Sequence, residues 1–452
     1  MSEPDRQQIA AALTSVRERT LELISGLSDE ALSRQHDPLM SPIVWDLGHI
    51  GAFEELWLVR RLGAVSSEAE LDEVYDAFRT PRSDRGGLPL AGGQLLLDRL
   101  QEVRCEALRL LQTVEFDSAT PLLRDGFAYE MVREHEAQHQ ETMLQTITMM
   151  TMEEYAPVSR CGGPSGNEAR GGEMIRVPAG PFLMGAPPAG FAYDNERPRH
   201  TATVGEFDIG RYPVTNGEYV EFIASGGYED HRLWSEAGWQ WKEEAALSTP
   251  MYWEPVGDRG SASAATAARI ARDAGVAGWQ RRTALGVDPV DSSAPVIHVC
   301  CHEAEAYARF ASGRLPTETE WEKAAAWDPG CEEPRTYPWG EDPDTTHRAN
   351  LDQFAFGPRP IGAYPDGRSA VGCEHMLGDA WEWTASEFDG YSGFQAFPYR
   401  EYSEVFFGSD HRVLRGSSWA TRPEVSRNSF RNWDYPIRRQ IFAGFRLARD
   451  AR

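Results

Sequence analysis

Met131-Val-Arg-Glu-His-Glu-Ala-Gln-His-Gln-Glu-Thr-Met-Leu144 contains neither glycine nor proline, is rich in strong helix formers, and carries apolar points at Met131, Met143 and Leu144. The stretch predicts a helix. Residues four apart on a helix sit roughly 40° apart around its axis, one turn up, so the imidazoles of His135 and His139 leave the same face. A divalent metal needs that convergence, because two fixed ligands leave only the remaining ones to be ordered. The plain alternative is a solvated polar helix that carries two histidines by chance. A third histidine, His49, lies in Val44-Trp-Asp-Leu-Gly-His-Ile-Gly-Ala-Phe-Glu-Glu-Leu-Trp57, a mostly apolar stretch where a buried imidazole needs a partner. One histidine from an early helix and two from a later one can form a three-histidine site with open positions, which is a catalytic rather than a closed structural arrangement. Residues 135–139 also spell the HExxH string of zinc peptidases, with Glu136 in the place of the general base. The string by itself does not separate a peptidase from another metal enzyme.

A chain of 452 residues is long for one core, and two or three domains are expected. The formal charge of −25 argues against nucleic acid or an anionic membrane as a bulk partner. The N-terminus has no apolar leader-like segment, and no run of about 18 apolar residues occurs. The six cysteines (Cys105, Cys161, Cys300, Cys301, Cys331 and Cys373) form no CxxC pair, which predicts a reduced, cytoplasmic enzyme with ordinary thiols. The adjacent Cys300 and Cys301 read as buried at a strand-to-helix junction rather than as a redox pair.

Apolar residues recur at three- and four-residue spacing through Ile9–Ile24, Val44–Leu62, Leu95–Leu111 and Phe127–Met150, which predicts an all-α four-helix bundle over residues 1–155. Such bundles build metal sites from facing helices. The loop Phe78–Leu88 joins the second and third segments and carries Arg79, Arg82 and Arg85. Residues 156–172 read as a linker by their Gly, Pro and Ser content. From 173 to 452 aromatics, Gly and Pro are dense and apolar runs are short, which predicts an α+β domain with much irregular structure. Its clearest helical signals are Cys301–Ala311 and Thr317–Ala326, the latter opened by a capping box of Thr317 and Glu320.

This second part carries, in order, Val177-Pro-Ala-Gly-Pro-Phe-Leu-Met-Gly185, Asn195-Glu-Arg-Pro-Arg-His200, Tyr212-Pro-Val-Thr-Asn216, Arg314-Leu-Pro-Thr-Glu-Thr-Glu-Trp-Glu-Lys-Ala-Ala325, Gly378-Asp-Ala-Trp-Glu-Trp-Thr384, Leu414-Arg-Gly-Ser-Ser-Trp419 and Gly444-Phe-Arg446. These motifs resemble the formylglycine-generating-enzyme, or sulfatase-modifying factor, domain, which is related to the C-type-lectin fold. The first part resembles the DinB-like bundles. The fusion, with Leu39-Met-Ser-Pro-Ile-Val-Trp-Asp-Leu-Gly-His49 in front and Phe430-Arg-Asn-Trp-Asp-Tyr-Pro-Ile-Arg-Arg-Gln-Ile-Phe442 behind, resembles the sulfoxide synthases of ergothioneine biosynthesis, of the actinobacterial type.

The formylglycine-generating reaction uses a cysteine pair near the C-terminal end, and no cysteine follows Cys373 here, so that activity is not expected. The peptidase reading also weakens, since no histidine follows His139 until His200. The resemblance implies a three-histidine iron(II) centre on His49, His135 and His139, which are the residues that the spacing selects. It further implies that hercynine (trimethylhistidine) binds through its imidazole, that a thiol binds through sulfur, and that O2 drives C–S bond formation, with sulfur leaving as a sulfoxide. Oxidation of sulfur alone is the easier side reaction, and family members suppress it with a tyrosine that delivers a proton. Tyr399 is the first choice for that role, ahead of Tyr391, with Tyr402 as a neighbour. Gln138, Asn432 and Trp433 would line the hercynine pocket, and a quaternary ammonium attracts aromatic faces. The actinobacterial thiol is γ-glutamylcysteine. Arg82 and Arg85 would take its carboxylate, Asp434 its ammonium and Arg438 a second carboxylate. The alternatives are a divalent-metal DinB-type protein such as a thiol transferase, or a synthase that uses cysteine or a seleno-sugar. A monomer is compatible with all of these features.

Overall fold

The computed structural model describes residues 5–62, 73–116, 119–150, 169–257, 262–331, 333–353 and 355–451. The chain divides into two compact units, Met1–Ser159 with Ala189–Phe191, and Arg160–Pro188 with Ala192–Arg452. The linker expected over 156–172 lies, up to residue 168, outside the described residues, as does Cys161. Gly171 and Gly172 make the turn into the first strand.

The first unit is helical. Its helices are α1 (Arg6–Ile24), the short α2 (Asp29–Ser33), α3 (Ile43–Glu54), α4 (Gly93–Leu111) and α5 (Phe127–Met149). Asp5 caps α1 by accepting from the Gln7 and Gln8 amides, which satisfies donors that a helix start leaves open. Helix α3 buries Val44, Trp45, Leu47, Ile50 and Phe53; apolar on nearly every side, it forms the centre of the bundle. One uninterrupted helix was expected to Leu62. Instead α3 gives way to π-helical turns over Glu55–Arg61, a change of winding that apolar spacing does not encode.

Within this apolar core lies a square of charges. Arg17 of α1 donates to Glu54 on α3 (2.7 Å) and to Glu136 on α5 (2.7 Å). Arg104 of α4 donates to the same two carboxylates, at 3.1 Å and 3.0 Å, and to the Leu13 carbonyl. Thr20 adds a hydroxyl donor to Glu136 at 2.7 Å. Burial alone would raise the Glu136 carboxyl, but the two guanidiniums outweigh it and hold the group below its ordinary range. Glu136 is therefore spent on structure. This removes the general base from the HExxH reading and with it the peptidase chemistry.

The second unit is α+β. A four-stranded sheet runs in the order Asn432–Asp434, Gly408–Arg415, Trp381–Phe388, Ala443–Gly444, with only the last pairing parallel. A three-stranded antiparallel sheet joins Met174–Val177, Phe207–Gly210 and Ala448–Asp450. Val177, Phe207 and Ile209 of this sheet form a buried apolar cluster with Trp321, Cys373 and Met376. The expected helices form at Cys301–Phe310 and Glu318–Ala326, and the Thr317–Glu320 capping box is made in both directions. Cys300 caps the first of these helices and is buried, although irregular backbone precedes it where a strand was expected. Helices Asn216–Ala224, Glu236–Glu244 and Ala264–Ala274 also form, although they were not singled out from sequence. The motif residues hold this unit together. Arg446 donates twice to Glu382, at 2.6 Å and 2.7 Å, and Trp321 donates to the same carboxylate at 2.7 Å. At Gly444 a Cβ would stand 2.1 Å from the Val296 carbonyl, so only glycine fits. Among the described residues no helix is long and apolar enough to cross a membrane.

Removing one partner of a buried ion cluster strands the others. Arg104→Ala is expected to cost about 3–5 kcal/mol of stability, read as a lower denaturant midpoint. Arg109→Ala on the surface of the same helix serves as the control. Equal midpoints for the two variants would show that the charge square contributes nothing to the fold.

Candidate metal centre

His49 on α3 and His135 and His139 on α5 converge. Their ligating atoms all lie within 4.8 Å of one another, and the Nε2 atoms of His49 and His135 are 3.1 Å apart. Two nitrogens each about 2.1 Å from one ion and roughly at right angles would be about 3 Å apart, so the donor set fits a metal.

The remaining nitrogens are held from behind. His49 Nδ1 donates to the Tyr75 carbonyl at 2.6 Å, and His139 Nδ1 donates to Asp46 at 3.0 Å. Each bond fixes the tautomer that leaves Nε2 free to coordinate. Burial, followed by the neighbouring His139, pushes His49 down to about 3 and lowers His135 well below the ordinary imidazole range. Both imidazoles are neutral at neutral pH.

The sequence Trp45-Asp46-Leu47-Gly48-His49 explains the local construction. The Trp45 ring stacks on His49 at 4.9 Å, and its indole N–H holds the Val74 carbonyl. Phe53, one turn on, stacks on His135 at 3.8 Å. At Gly48 a Cβ would stand 2.0 Å from the Tyr75 ring, so glycine is what lets the 73–75 segment approach His49. Asp46, Trp45 and Gly48 were not picked out from sequence.

Arg85 lies beneath this site. Its guanidinium packs over Trp45 at 3.4 Å and donates to the Thr80 carbonyl and the Ser41 hydroxyl. Burial, only partly offset by the nearby Asp46, lowers its pKa to about 10. Arg82 is half-buried in the same 82–87 turn. Gln138 is half-buried, its amide 3.3 Å from the Glu134 carbonyl.

The other expected site residues belong to the second unit, where Tyr399, Tyr402 and Trp433 gather in one aromatic group. Tyr402 stacks on Tyr193 at 4.0 Å and meets Trp433 edge-on at 5.7 Å. Tyr399 meets Tyr402 edge-on at 6.3 Å. Asn432, Trp433 and Asp434 form one short strand, and Asp434 pairs with Arg438 at 3.3 Å. Burial, then the charges of Asp194 and Glu401, push the Tyr399 phenol above its ordinary range. Tyr391 is committed differently. Its hydroxyl donates to Glu318 at 2.8 Å, inside an ion cluster with Arg431 and Arg415.

Residues 12–143 match the DinB superfamily and residues 162–451 the sulfatase-modifying factor enzyme 1-like domain. The chain is 45% identical to the hercynine oxygenase of Mycolicibacterium thermoresistibile, over 99% of this chain and 96% of that protein. The hercynine oxygenase of Mycobacterium tuberculosis is 44% identical over 98% and 99%. The formylglycine-generating enzyme of Thermomonospora curvata is 33% identical over 47% and 70%.

Asp46→Asn keeps the shape of the side chain and removes its charge. It is expected to weaken manganese(II) or cobalt(II) uptake by the purified protein roughly 10- to 100-fold. His49→Ala, His135→Ala and His139→Ala should each abolish specific uptake while the helical circular dichroism persists. A variant that binds the ion with wild-type affinity is altered at a residue outside the metal's ligand shell.

Proposed function

The chain belongs to the hercynine oxygenase family, and we propose that it is the iron(II)-dependent sulfoxide synthase that joins the sulfur of γ-glutamylcysteine to the imidazole C2 of hercynine in ergothioneine biosynthesis. The observation that carries this reading is the convergence of three histidine side chains, two of them, His49 and His135, kept neutral by burial, in a chain that matches those relatives nearly end to end. Three histidines leave an ion dipositive with positions open, and iron(II) in such a site supplies the redox chemistry that activates O2 and accepts a thiolate and an imidazole.

The balance is simple. Forming C–S from a thiol S–H and an imidazole C–H releases two electrons, and oxidising that sulfur to the sulfoxide releases two more. One O2 takes all four, leaving one oxygen on sulfur and one in water. Oxidation of the thiol alone by the same O2 gives a sulfinate, so a correctly placed proton must favour the first course. Tyr399 is our choice for that donor. It lies in the aromatic group with Tyr402 and Trp433, whereas the hydroxyl of Tyr391 donates to Glu318.

For substrates, Gln138 and Asn432 take the hercynine carboxylate side, and Trp433 with Tyr402 offers ring faces to the trimethylammonium. Arg82 takes a carboxylate of γ-glutamylcysteine. The Asp434–Arg438 pair suits the ammonium and second carboxylate of that thiol, because a zwitterion can exchange with an ion pair group for group. Arg85 stands behind Arg82. Altering it would also release the Trp45–His49 stack, so Arg82 is the cleaner probe.

Anaerobically purified protein should take up one equivalent of iron(II) and consume O2 rapidly only when hercynine and γ-glutamylcysteine are both present, yielding the sulfoxide by mass. A thiol transferase would instead work without O2. Tyr399→Phe should retain both substrates but divert O2 to the sulfinate; should Tyr391→Phe do so instead, the donor is Tyr391. Losing one charge-assisted contact costs about 1.5–3 kcal/mol, or roughly 10- to 150-fold in binding. Arg82→Ala should therefore raise KM for γ-glutamylcysteine by at least about tenfold and leave KM for hercynine nearly unchanged. Free cysteine turned over as efficiently as γ-glutamylcysteine by the wild type would end the thiol assignment but not the metal one.

A further inference from the structure

The turn Tyr193–Glu196 sits under the segment that carries Tyr399. Glu196 is fully buried, closes the turn by accepting from the Tyr193 amide at 2.9 Å, and is gripped by Arg427 at 2.6 Å and 2.9 Å and by Ser429 at 2.7 Å. Burial alone would raise its carboxyl, but Arg427 keeps it below the ordinary range. The turn is thus an anchored platform.

Two side chains rise from it toward the tyrosine segment. The Tyr193 ring stacks on Tyr402 at 4.0 Å, nearly parallel at 12°. Asp194, itself buried, uses both carboxylate oxygens. One accepts from the Phe397 amide at 3.1 Å and the other from the Ser403 hydroxyl at 2.5 Å. Phe397 and Ser403 bracket Tyr399 and Tyr402. One carboxylate therefore ties down both ends of the segment whose middle carries the phenol.

We propose that Asp194 is a positioning residue for the Tyr399 phenol and so sets the partition of O2 between sulfoxide and sulfinate; this rests on the reading of Tyr399 as proton donor. Proton transfer demands placement to a fraction of an ångström, and an error of about 1 Å can cost on the order of a hundredfold. A segment pinned at one end alone can swing its phenol by such a distance without unfolding. Asp194 thus acts on the place of the proton donor.

The test uses the iron-loaded full-length enzyme with hercynine, γ-glutamylcysteine and O2, and reads the ratio of sulfoxide to sulfinate. Asp194→Asn can accept one of the two hydrogen bonds but not both. Ser403→Ala removes one bond and is mild enough to fold in any case. Both variants are expected to shift the ratio toward sulfinate by about tenfold, with iron affinity and the KM for γ-glutamylcysteine within about threefold of wild type. Tyr399→Phe is run alongside. If it shifts the ratio while Asp194→Asn and Ser403→Ala turn over slowly at the wild-type ratio, Asp194 is structural only and the proposal is overturned. If Tyr399→Phe also leaves the ratio unchanged, the proton-donor reading itself has failed.

Discussion

Two carboxylates and two guanidiniums at the centre of a helical bundle are stable only if every one of them is paired. Desolvating each ion costs several kcal/mol, and that is recovered only when geometry is good and the remaining lone pairs and protons find partners. Here Glu54 and Glu136 each touch both Arg17 and Arg104. Because Glu54 lies on α3 and Glu136 on α5, these helices cannot slide or rotate past one another without breaking a bond in every direction. The same two helices carry the three converging histidines. His49 precedes Glu54 by little more than one turn, and His135 and His139 flank Glu136. Apolar packing tolerates small shifts by repacking, but directional charge-assisted bonds do not. The close approach of the His49 and His135 nitrogens follows from a lock made on another face of α5.

That lock explains how far the sequence could be read. The three histidines were legible because spacing on one helix is a local property and needs no partner. Glu136 was misleading for the same reason, since the string HExxH is local while the fate of its glutamate is decided by Arg17 and Arg104, on two other helices. Asp46 and Gly48 escaped notice because their partners, His139 and Tyr75, are brought to them by the fold. The π-helical turns after Glu54 leave no trace in apolar periodicity. In the second unit the ordered motifs identified the domain at once, yet their physical work was invisible in the string. Glu382, Arg446 and Trp321 form one buried bond cluster from three separate motifs.

The choice between Tyr399 and Tyr391 shows the same limit in a smaller space. Both lie in one aromatic-rich stretch and nothing local separates them. Their surroundings differ in the fold: Glu318 and Arg431 engage the Tyr391 hydroxyl and ring, and Asp194 accepts from Phe397 and Ser403 on either side of Tyr399. A residue's chemistry is set by which of its neighbours is already committed elsewhere.

The energies involved differ in kind. Holding α3 against α5 draws on a cluster whose disruption costs several kcal/mol, on the scale of a domain's whole stability. Selecting sulfoxide over sulfinate needs far less, since about 1.4 kcal/mol between two competing barriers is already tenfold in product ratio. A single hydrogen bond, at about 0.5–1.5 kcal/mol, lies within that range. Selectivity can therefore rest on one carboxylate at the edge of an aromatic group, whereas the metal site must rest on a buried cluster. Residues of the first kind leave stability almost untouched when altered, so they are found by following hydrogen bonds outward from the reacting group and not by asking what holds the fold.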